Sequence, residues 1–223
     1  MIKLYSLFLK TSLLLALLIS TNLTAQDAIR FQGEVDALNA TKFKIDEQKE
    51  VVVFTGSSSI KMWKHVQEDF PQVNAINTGF GGSAMTDLQY YLNDLVLKYN
   101  PDKIFIYEGD NDIANSISPA AILKTTQEVI TAIKAKLPKA EIFLISAKPT
   151  ILRWELAEGY LALNKLFEEY SANTKGVTYI DIWTPMLNEE GTPKADILLS
   201  DNLHMNKKGY VIWADVIGKY LKD

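Results

Sequence analysis

Hydrophobic residues fall along this chain in short runs that are separated by longer polar or mixed stretches. Most runs are rich in Val, Ile and Phe and continue over several positions instead of alternating with polar residues. Continuous runs of this kind are typical of parallel strands that are covered on both faces. The pattern predicts four or five such strands, over residues 51–55, 74–78, 103–107, 141–146 and 177–182.

Between the runs, apolar positions recur with the period of an α-helix. The clearest predicted helix follows Ser118, a favourable N-cap, and has Pro119 in its first turn. Its apolar face would consist of Ile122, Val129, Ile130, Ile133 and Leu137. Further helices are predicted within 27–45, over 155–173 and over 206–221, the last with Tyr210, Trp213, Ile217 and Tyr220 along one side.

Strands that alternate with helices predict an α/β fold with helices on both faces of a mostly parallel sheet, which is a three-layer α/β/α arrangement. In such sheets, ligands bind beyond the carboxyl ends of the strands. The segments to inspect for chemistry are therefore GSSS, GFGGS, EGDND and AKPT, together with SDNLHM before the last predicted helix.

The first 26 residues differ from the rest. Lys3 and Lys10 precede an apolar run from Leu13 to Ile19, and small residues follow it. The run is far shorter than the roughly 20 residues that a membrane-spanning helix needs, so the pattern predicts a signal peptide over 1–26 rather than a stable membrane anchor. Residues 27–223 then form a single predicted domain of a protein that is secreted or periplasmic.

Cysteine is absent from the chain, so disulfides, a thiolate nucleophile and cysteine metal sites are excluded. Without the two lysines of the predicted signal peptide, 21 basic residues remain against 27 acidic ones. This balance, without a basic cluster, makes nucleic acid and anionic membranes poor partner predictions. The sequence makes no prediction of oligomeric state.

Three consecutive serines, Ser57 to Ser59, follow the first predicted strand. They either cap a helix or supply a nucleophile, and a nucleophilic serine requires a nearby base. Of the two histidines, His65 is predicted about two turns into the following helix, as a surface or partly buried residue. His204 lies three residues after Asp201, close enough for the carboxylate to bond its Nδ1. The alternative for this pair is a capped turn with His204 packed on the last helix.

Other motifs fit less well. A G-x-S-x-G nucleophile elbow would need glycine in place of Ile60, and the Gly-Lys-Ser/Thr ending of a P-loop is missing. The segment GFGGSA, residues 79–84, matches G-x-G-x-x-A formally, but it follows the second predicted strand rather than the first. Dinucleotide binding is therefore a weak alternative.

Four blocks occur in order along the chain: TGSSSI, NTGFGG, EGDND and SDNLH. Together they resemble the SGNH hydrolase superfamily, also called GDSL esterases, over about residues 29–223. The resemblance implies a flavodoxin-like fold with a five-stranded sheet. It also implies a catalytic triad of Ser58, His204 and Asp201, and an oxyanion hole formed by Ser58, Gly82 and Asn111. It implies no metal and no cofactor.

The first block departs from the usual Gly-Asp-Ser, because Ser57 stands where that block has aspartate. Ser57 and Ser59 therefore remain alternative nucleophiles. Asp110 and Asp112, on either side of Asn111, are expected to orient their loop rather than act on substrate.

The resemblance implies a secreted serine esterase that hydrolyses short-chain esters such as acetyl esters, with carbohydrates as candidate carriers. The expected partner is a small-molecule or glycan ester. Arg153 and Trp154, in KPTILRW, are candidate substrate contacts; alternatively they begin a helix, with Trp154 in the core. The alternative functions are a lysophospholipase or thioesterase of the same fold and a non-catalytic carbohydrate-binding protein.

Overall fold

The computed structural model describes residues 28–221, so the predicted signal peptide lies outside the described residues. A single five-stranded sheet forms the centre, with the strand order β2-β1-β3-β4-β5 and every neighbouring pair parallel. The α/β fold with a parallel sheet is therefore confirmed. The strands are β1 (Val51–Gly56), β2 (Asn74–Asn77), β3 (Lys103–Tyr107), β4 (Glu141–Ile145) and β5 (Val177–Ile180).

The continuous apolar runs arise because successive strand residues enter two different cores. In β3, Ile104 and Ile106 belong to one hydrophobic cluster, whereas Phe105 and Tyr107 belong to the other. Side chains alternate between the faces of a sheet, so a strand buried on both faces must be apolar at every position. The continuous apolar runs in the sequence thus reflect a sheet that is covered on both faces, which is the three-layer arrangement.

Nine α-helices lie within residues 28–221. They are α1 (Gln32–Ala40), α2 (Ser58–Lys61), α3 (Val66–Asp69), α4 (Met85–Tyr90), α5 (Leu92–Leu95), α6 (Asp110–Ala114), α7 (Pro119–Lys136), α8 (Ala157–Ala172) and α9 (Lys207–Ile217). Short 3-10 helices occur at Ile29–Phe31, Leu97–Tyr99, Trp154–Leu156, Thr184–Met186, Ala195–Ile197 and Gly218–Tyr220.

The predicted caps and faces of the long helices are present. The Ser118 hydroxyl accepts the N–H of Ala121 at the start of α7, and Pro119 occupies the first turn. Ile122, Val129, Ile130 and Ile133 are buried in the first cluster, while Trp213 and Ile217 of α9 are buried in the second. The apolar stripes thus fix each helix to its own face of the sheet.

The helix after the serines is much shorter than predicted, and His65 does not lie in it. The side-chain amide of Asn77 donates to the carbonyls of Ile60 and Trp63, at 2.7 and 3.0 Å. These carbonyls would otherwise accept N–H groups of a continuing helix. α2 is consequently a single turn, and His65 instead precedes α3 as its N-cap.

No helix among residues 28–221 combines the length and apolar character needed to cross a membrane. The loops that follow β1, β2, β3 and β4 all leave the carboxyl edge of the sheet. Because β1 lies between β2 and β3, the serine segment is flanked by the GFGGS and EGDND segments.

Candidate active site

Ser58 is placed by a close approach between β1 and β3. Gly56 has φ +132°, and a Cβ there would lie 2.0 Å from the carbonyl oxygen of Tyr107. The next residue, Ser57, donates its N–H to that same oxygen at 3.1 Å. Only glycine permits this contact. The chain therefore turns abruptly out of the sheet and presents Ser58 as the first residue of α2.

The three serines have different surroundings. Ser57 and Ser59 are each 1% exposed, whereas Ser58 is partly exposed. The Ser59 hydroxyl has no hydrogen-bond partner within residues 28–221. The Ser58 Oγ lies 2.9 Å from Nε2 of His204, although the two residues are 146 positions apart in the sequence. Of the three hydroxyls, Ser58 is the one that the structure brings to His204.

His204 is held by a short loop before α9. Oδ1 of Asp201 accepts the N–H groups of Leu203 and His204, both at 2.9 Å, which closes a turn. The N–H of Leu199 donates to the carbonyl of His204 at 2.8 Å and closes the base of the loop. The loop therefore fixes the backbone of His204.

The second oxygen of Asp201, Oδ2, lies 2.7 Å from Nδ1 of His204. Although desolvation opposes ionisation of Asp201, hydrogen bonds from the His204 ring and from two N–H groups lower the pKa of its carboxyl to about 2. An ionised carboxylate only accepts, so Nδ1 must be the donor. In a neutral imidazole, Nε2 then carries the lone pair and can accept a hydrogen bond from the Ser58 hydroxyl.

His65 does not join this arrangement. Its side chain is 73% exposed and pairs through Nδ1 with Glu68, three residues further along the chain. The expectation of a surface histidine is met, although the helix assigned to it was wrong.

Gly82 and Asn111 lie on the two segments that flank Ser58. Gly82 has φ +74°, a conformation that favours glycine. The Asn111 side-chain Nδ2 donates to the carbonyl of Ser83 at 2.9 Å, so this bond ties the β3 segment to the β2 segment next to Gly82. An amide nitrogen carries two hydrogens, and the Ser83 carbonyl uses one of them.

The two predicted substrate contacts have structural partners. The Arg153 guanidinium donates from Nη1 and Nη2 to Oδ1 of Asn111, at 3.2 and 3.1 Å, and forms an ion pair with Asp110. Trp154 begins a 3-10 helix and stacks on Trp183, with 5.9 Å between ring centroids. Trp154 is therefore partly buried against the first hydrophobic cluster.

A buried ion pair beneath the site was missed in the sequence. Lys148 is 1% exposed, and its Nζ lies 2.9 Å from Oδ2 of Asp110. Burial would raise the pKa of the Asp110 carboxyl, but Lys148 and Arg153 together hold it well below its usual range. The hydroxyl of Tyr107 donates to the same carboxylate at 2.9 Å. Lys148 lies in the inspected segment AKPT, three residues after the end of β4, but nothing local in the sequence indicates its partner Asp110.

Two further carboxyl groups are buried near Asn111. Oδ2 of Asp112 accepts the N–H of Gly109 at 3.1 Å, and both carboxylate oxygens of Asp112 lie within hydrogen-bond distance of the N–H of Met85. Burial nevertheless raises the pKa of the Asp112 carboxyl to about 6. Glu108 is hydrogen-bonded to the Ser83 hydroxyl at 2.6 Å, and burial raises its pKa well above the usual range. Asp112 thus orients its loop, as expected. Within the described part of the chain, no group of three or more His, Asp or Glu is arranged to hold a metal ion.

Comparison with known proteins agrees with this architecture. A model of the GDSL-like lipase/acylhydrolase family matches residues 53–212, more than half of the chain, and the protein therefore belongs to that family. Comparison with curated proteins gave no match.

Solved structures share the fold. A Streptococcus pneumonia protein, described as a proposed platelet activating factor, is 21% identical over 93% of this chain and 99% of its own, with a TM-score of 0.75. A GDSL-like lipase from Bacteroides thetaiotaomicron is 20% identical over 87% and 96%, with a TM-score of 0.69. A catalytic mutant of an acetylxylan esterase from Geobacillus stearothermophilus is 14% identical over 82% and 97%, with a TM-score of 0.67. These structures establish the SGNH-type fold, and family membership makes the chain an acylhydrolase-like protein.

Proposed function

We propose that the protein is a serine esterase in which Ser58 attacks a carboxylic ester, His204 acts as the general base and Asp201 orients His204. The observation that carries this proposal is the unbroken chain of hydrogen bonds from Asp201 through the imidazole to the Ser58 hydroxyl, at 2.7 and 2.9 Å. Neither a capped turn nor a His204 that packs on the last helix requires the hydrogen bond between His204 and the Ser58 hydroxyl. A carbohydrate-binding protein has no need of it either.

The reaction proceeds by acyl transfer. Oγ of Ser58 bonds to the ester carbonyl carbon while its proton moves to Nε2 of His204. His204 then returns that proton to the leaving alkoxide, and an acyl group remains on Ser58. Water repeats the sequence, giving its proton to His204 and releasing the carboxylic acid and the free serine. The negative charge on Asp201 stabilises the imidazolium in both halves.

The oxyanion requires preorganised donors on the opposite side of the carbonyl. The N–H of Ser58 is available because the first N–H groups of a helix lack partners within that helix. The N–H of Gly82 and the second amide hydrogen of Asn111 complete the proposed set. The Ser83 bond to Asn111 supports this assignment because it holds the two flanking segments together.

The proposed substrates are short-chain esters, in the first place acetyl esters on carbohydrates, which the protein meets after export by its predicted signal peptide. The fold shared with an acetylxylan esterase supports this choice. The acidic balance of the chain, which disfavours binding to anionic lipid surfaces, supports it too.

A second candidate, an esterase for longer acyl chains, is favoured by three exposed aliphatic side chains near the His204 loop. Leu199 and Leu152 are each tied to this loop by their backbone N–H groups, and Ile151 precedes Leu152. Their exposed fractions are 38%, 54% and 40%.

The test is hydrolysis of p-nitrophenyl acetate by the purified protein and by Ser58→Ala. Loss of the nucleophile is expected to lower kcat by about 10⁶-fold, the scale seen when a triad member is removed. Ser59→Ala is the matched control, because that hydroxyl is buried without a partner, and it should keep activity near the wild-type value. Equal rates for wild type and Ser58→Ala would end the esterase proposal.

A p-nitrophenyl ester series from C2 to C10 separates the two substrate classes. Rates that fall with chain length support the short-chain assignment, whereas rates that rise support the longer-chain candidate. Release of acetate from acetylated oligosaccharides then tests the carbohydrate carrier directly.

A further inference from the structure

The side-chain amide of Asn111 has two possible orientations, which differ by a 180° flip that exchanges the positions of its oxygen and nitrogen. In the structure, Oδ1 receives two N–H groups from Arg153 and Nδ2 donates to the carbonyl of Ser83. A guanidinium group is donor-only. The reversed amide would set donors of Asn111 against those of Arg153 and the oxygen of Asn111 against that of Ser83. Arg153 and Ser83 thus select one orientation.

Arg153 is itself held from beneath. Its Nη1 pairs with Oδ1 of Asp110, and Oδ2 of Asp110 is bound by the buried Nζ of Lys148 at 2.9 Å. The hydroxyl of Tyr160 also donates to Oδ1 of Asp110, at 3.2 Å. The Arg153 side chain is 20% exposed, so most of it is committed to these contacts. A planar group anchored in this way fixes its partner in position and in rotation.

We propose that Arg153 is a positioning residue that orients the Asn111 amide so that its free N–H points to the oxyanion; this rests on the proposed esterase function. Arg153 acts through Asn111 and does not contact the substrate. This replaces the interpretation of Arg153 as a substrate contact. The same bonds give the buried ion pair of Asp110 and Lys148 a role, because this pair anchors Arg153 and Arg153 orients Asn111.

A double-mutant cycle tests the proposal with kcat and KM for p-nitrophenyl acetate. Asn111→Ala should lower kcat by about 10²–10³-fold, the usual loss for one oxyanion donor. Arg153→Met should lower kcat by about 10-fold, less than the loss of the donor itself, and leave KM within about twofold. In the Asn111→Ala background, Arg153→Met should change kcat by less than about twofold, because the group that it orients is gone.

Arg153→Lys should recover part of the loss, since it keeps the charge beside Asp110 and one donor for Asn111. Lys208→Met is the matched control: it removes an exposed cation paired with Asp196 at 3.0 Å and should leave kcat unchanged. The proposal is overturned if Arg153→Met lowers kcat equally in both backgrounds. It is also overturned if the variant raises KM with kcat unchanged, the sign of a substrate contact.

An NMR measurement gives a result that is independent of turnover. The Nδ2 resonances of Asn111, identified by their loss in Asn111→Ala, should shift and exchange faster with water in Arg153→Met. Unchanged resonances contradict the proposal even where the kinetics agree. Full activity of Ser58→Ala would instead end the esterase assignment, so the two failures are distinguishable.

Discussion

Two carboxylates at the carboxyl edge of the sheet each bind a nitrogen-containing side chain, in opposite environments. Asp201 and His204 have side chains that are 45% and 21% exposed. Asp110 and Lys148 are 5% and 1% exposed, with Arg153 above them. The exposed pair reaches the nucleophile candidate Ser58, whereas the buried pair reaches Asn111 through Arg153.

The exposed pair is placed to assist catalysis, whereas the buried pair is placed to support the structure. The partly exposed contact between Asp201 and His204 contributes little to folding, because water and salt screen it. The members of a buried pair lose their hydration and recover it only from protein partners, so removing one charged member is costly. Variants of the exposed pair should therefore affect turnover, and variants of the buried pair should mainly affect stability.

Among variants of these two pairs, Asp201→Asn should give the largest effect, a fall in kcat of about 10⁴-fold. The Asn oxygen can still accept the loop N–H groups, but its amide would donate toward Nδ1 and favour the wrong tautomer of His204. The free energy of unfolding, measured with urea, should change little. Glu68→Gln is the matched control, since Glu68 pairs with His65 at the same three-residue spacing. Equal activities of the two variants would remove Asp201 from the mechanism.

Asp110→Asn should give the next largest effect, a loss of about 3–5 kcal/mol in the free energy of unfolding, because Lys148 stays buried without a charged partner. Asp196→Asn is the control, because it breaks the exposed pair with Lys208 and should cause little change. Urea unfolding monitored by circular dichroism measures both. Equal losses for the two variants would show that burial does not distinguish these pairs.

The smallest effect is the pH dependence of that loss. The folded-state pKa of Asp110 lies below the unfolded value of about 3.9, so below that pH the unfolded chain binds more protons. The stabilisation is therefore complete above about pH 5 and is lost as the pH falls further. The difference between wild type and Asp110→Asn should shrink between pH 4 and pH 2.5. A difference that grew on acidification would contradict the assigned direction.

Much of the fold could be predicted because both faces of the sheet are covered. Apolar residues at successive positions then mark the strands, and β3 has the predicted bounds of 103–107. The early end of the helix after Ser58 could not be predicted, because the helix is ended by Asn77, a residue from the next strand along the chain. A termination that depends on a tertiary contact leaves no local signal.

In the candidate site, too, some features could be predicted from the sequence and others could not. The pairing of Asp201 with His204 is local, three residues apart, and was recognisable from their spacing. The roles of Lys148 and Arg153 were not, because a lone lysine or arginine has no periodic signature and normally lies in solvent. Their partner Asp110 is about 40 positions away, and only the topology of β3 and β4 brings the three together.

The central claim is that the hydroxyl of Ser58, activated by His204, is the nucleophile. The most direct test is labelling with a fluorophosphonate, which forms a covalent bond to an activated serine, followed by digestion and mass spectrometry of the modified peptide. The label should be on Ser58, be absent from Ser58→Ala and form far more slowly in His204→Ala. A label on Ser57 or Ser59, or labelling at the same rate without His204, would contradict the account.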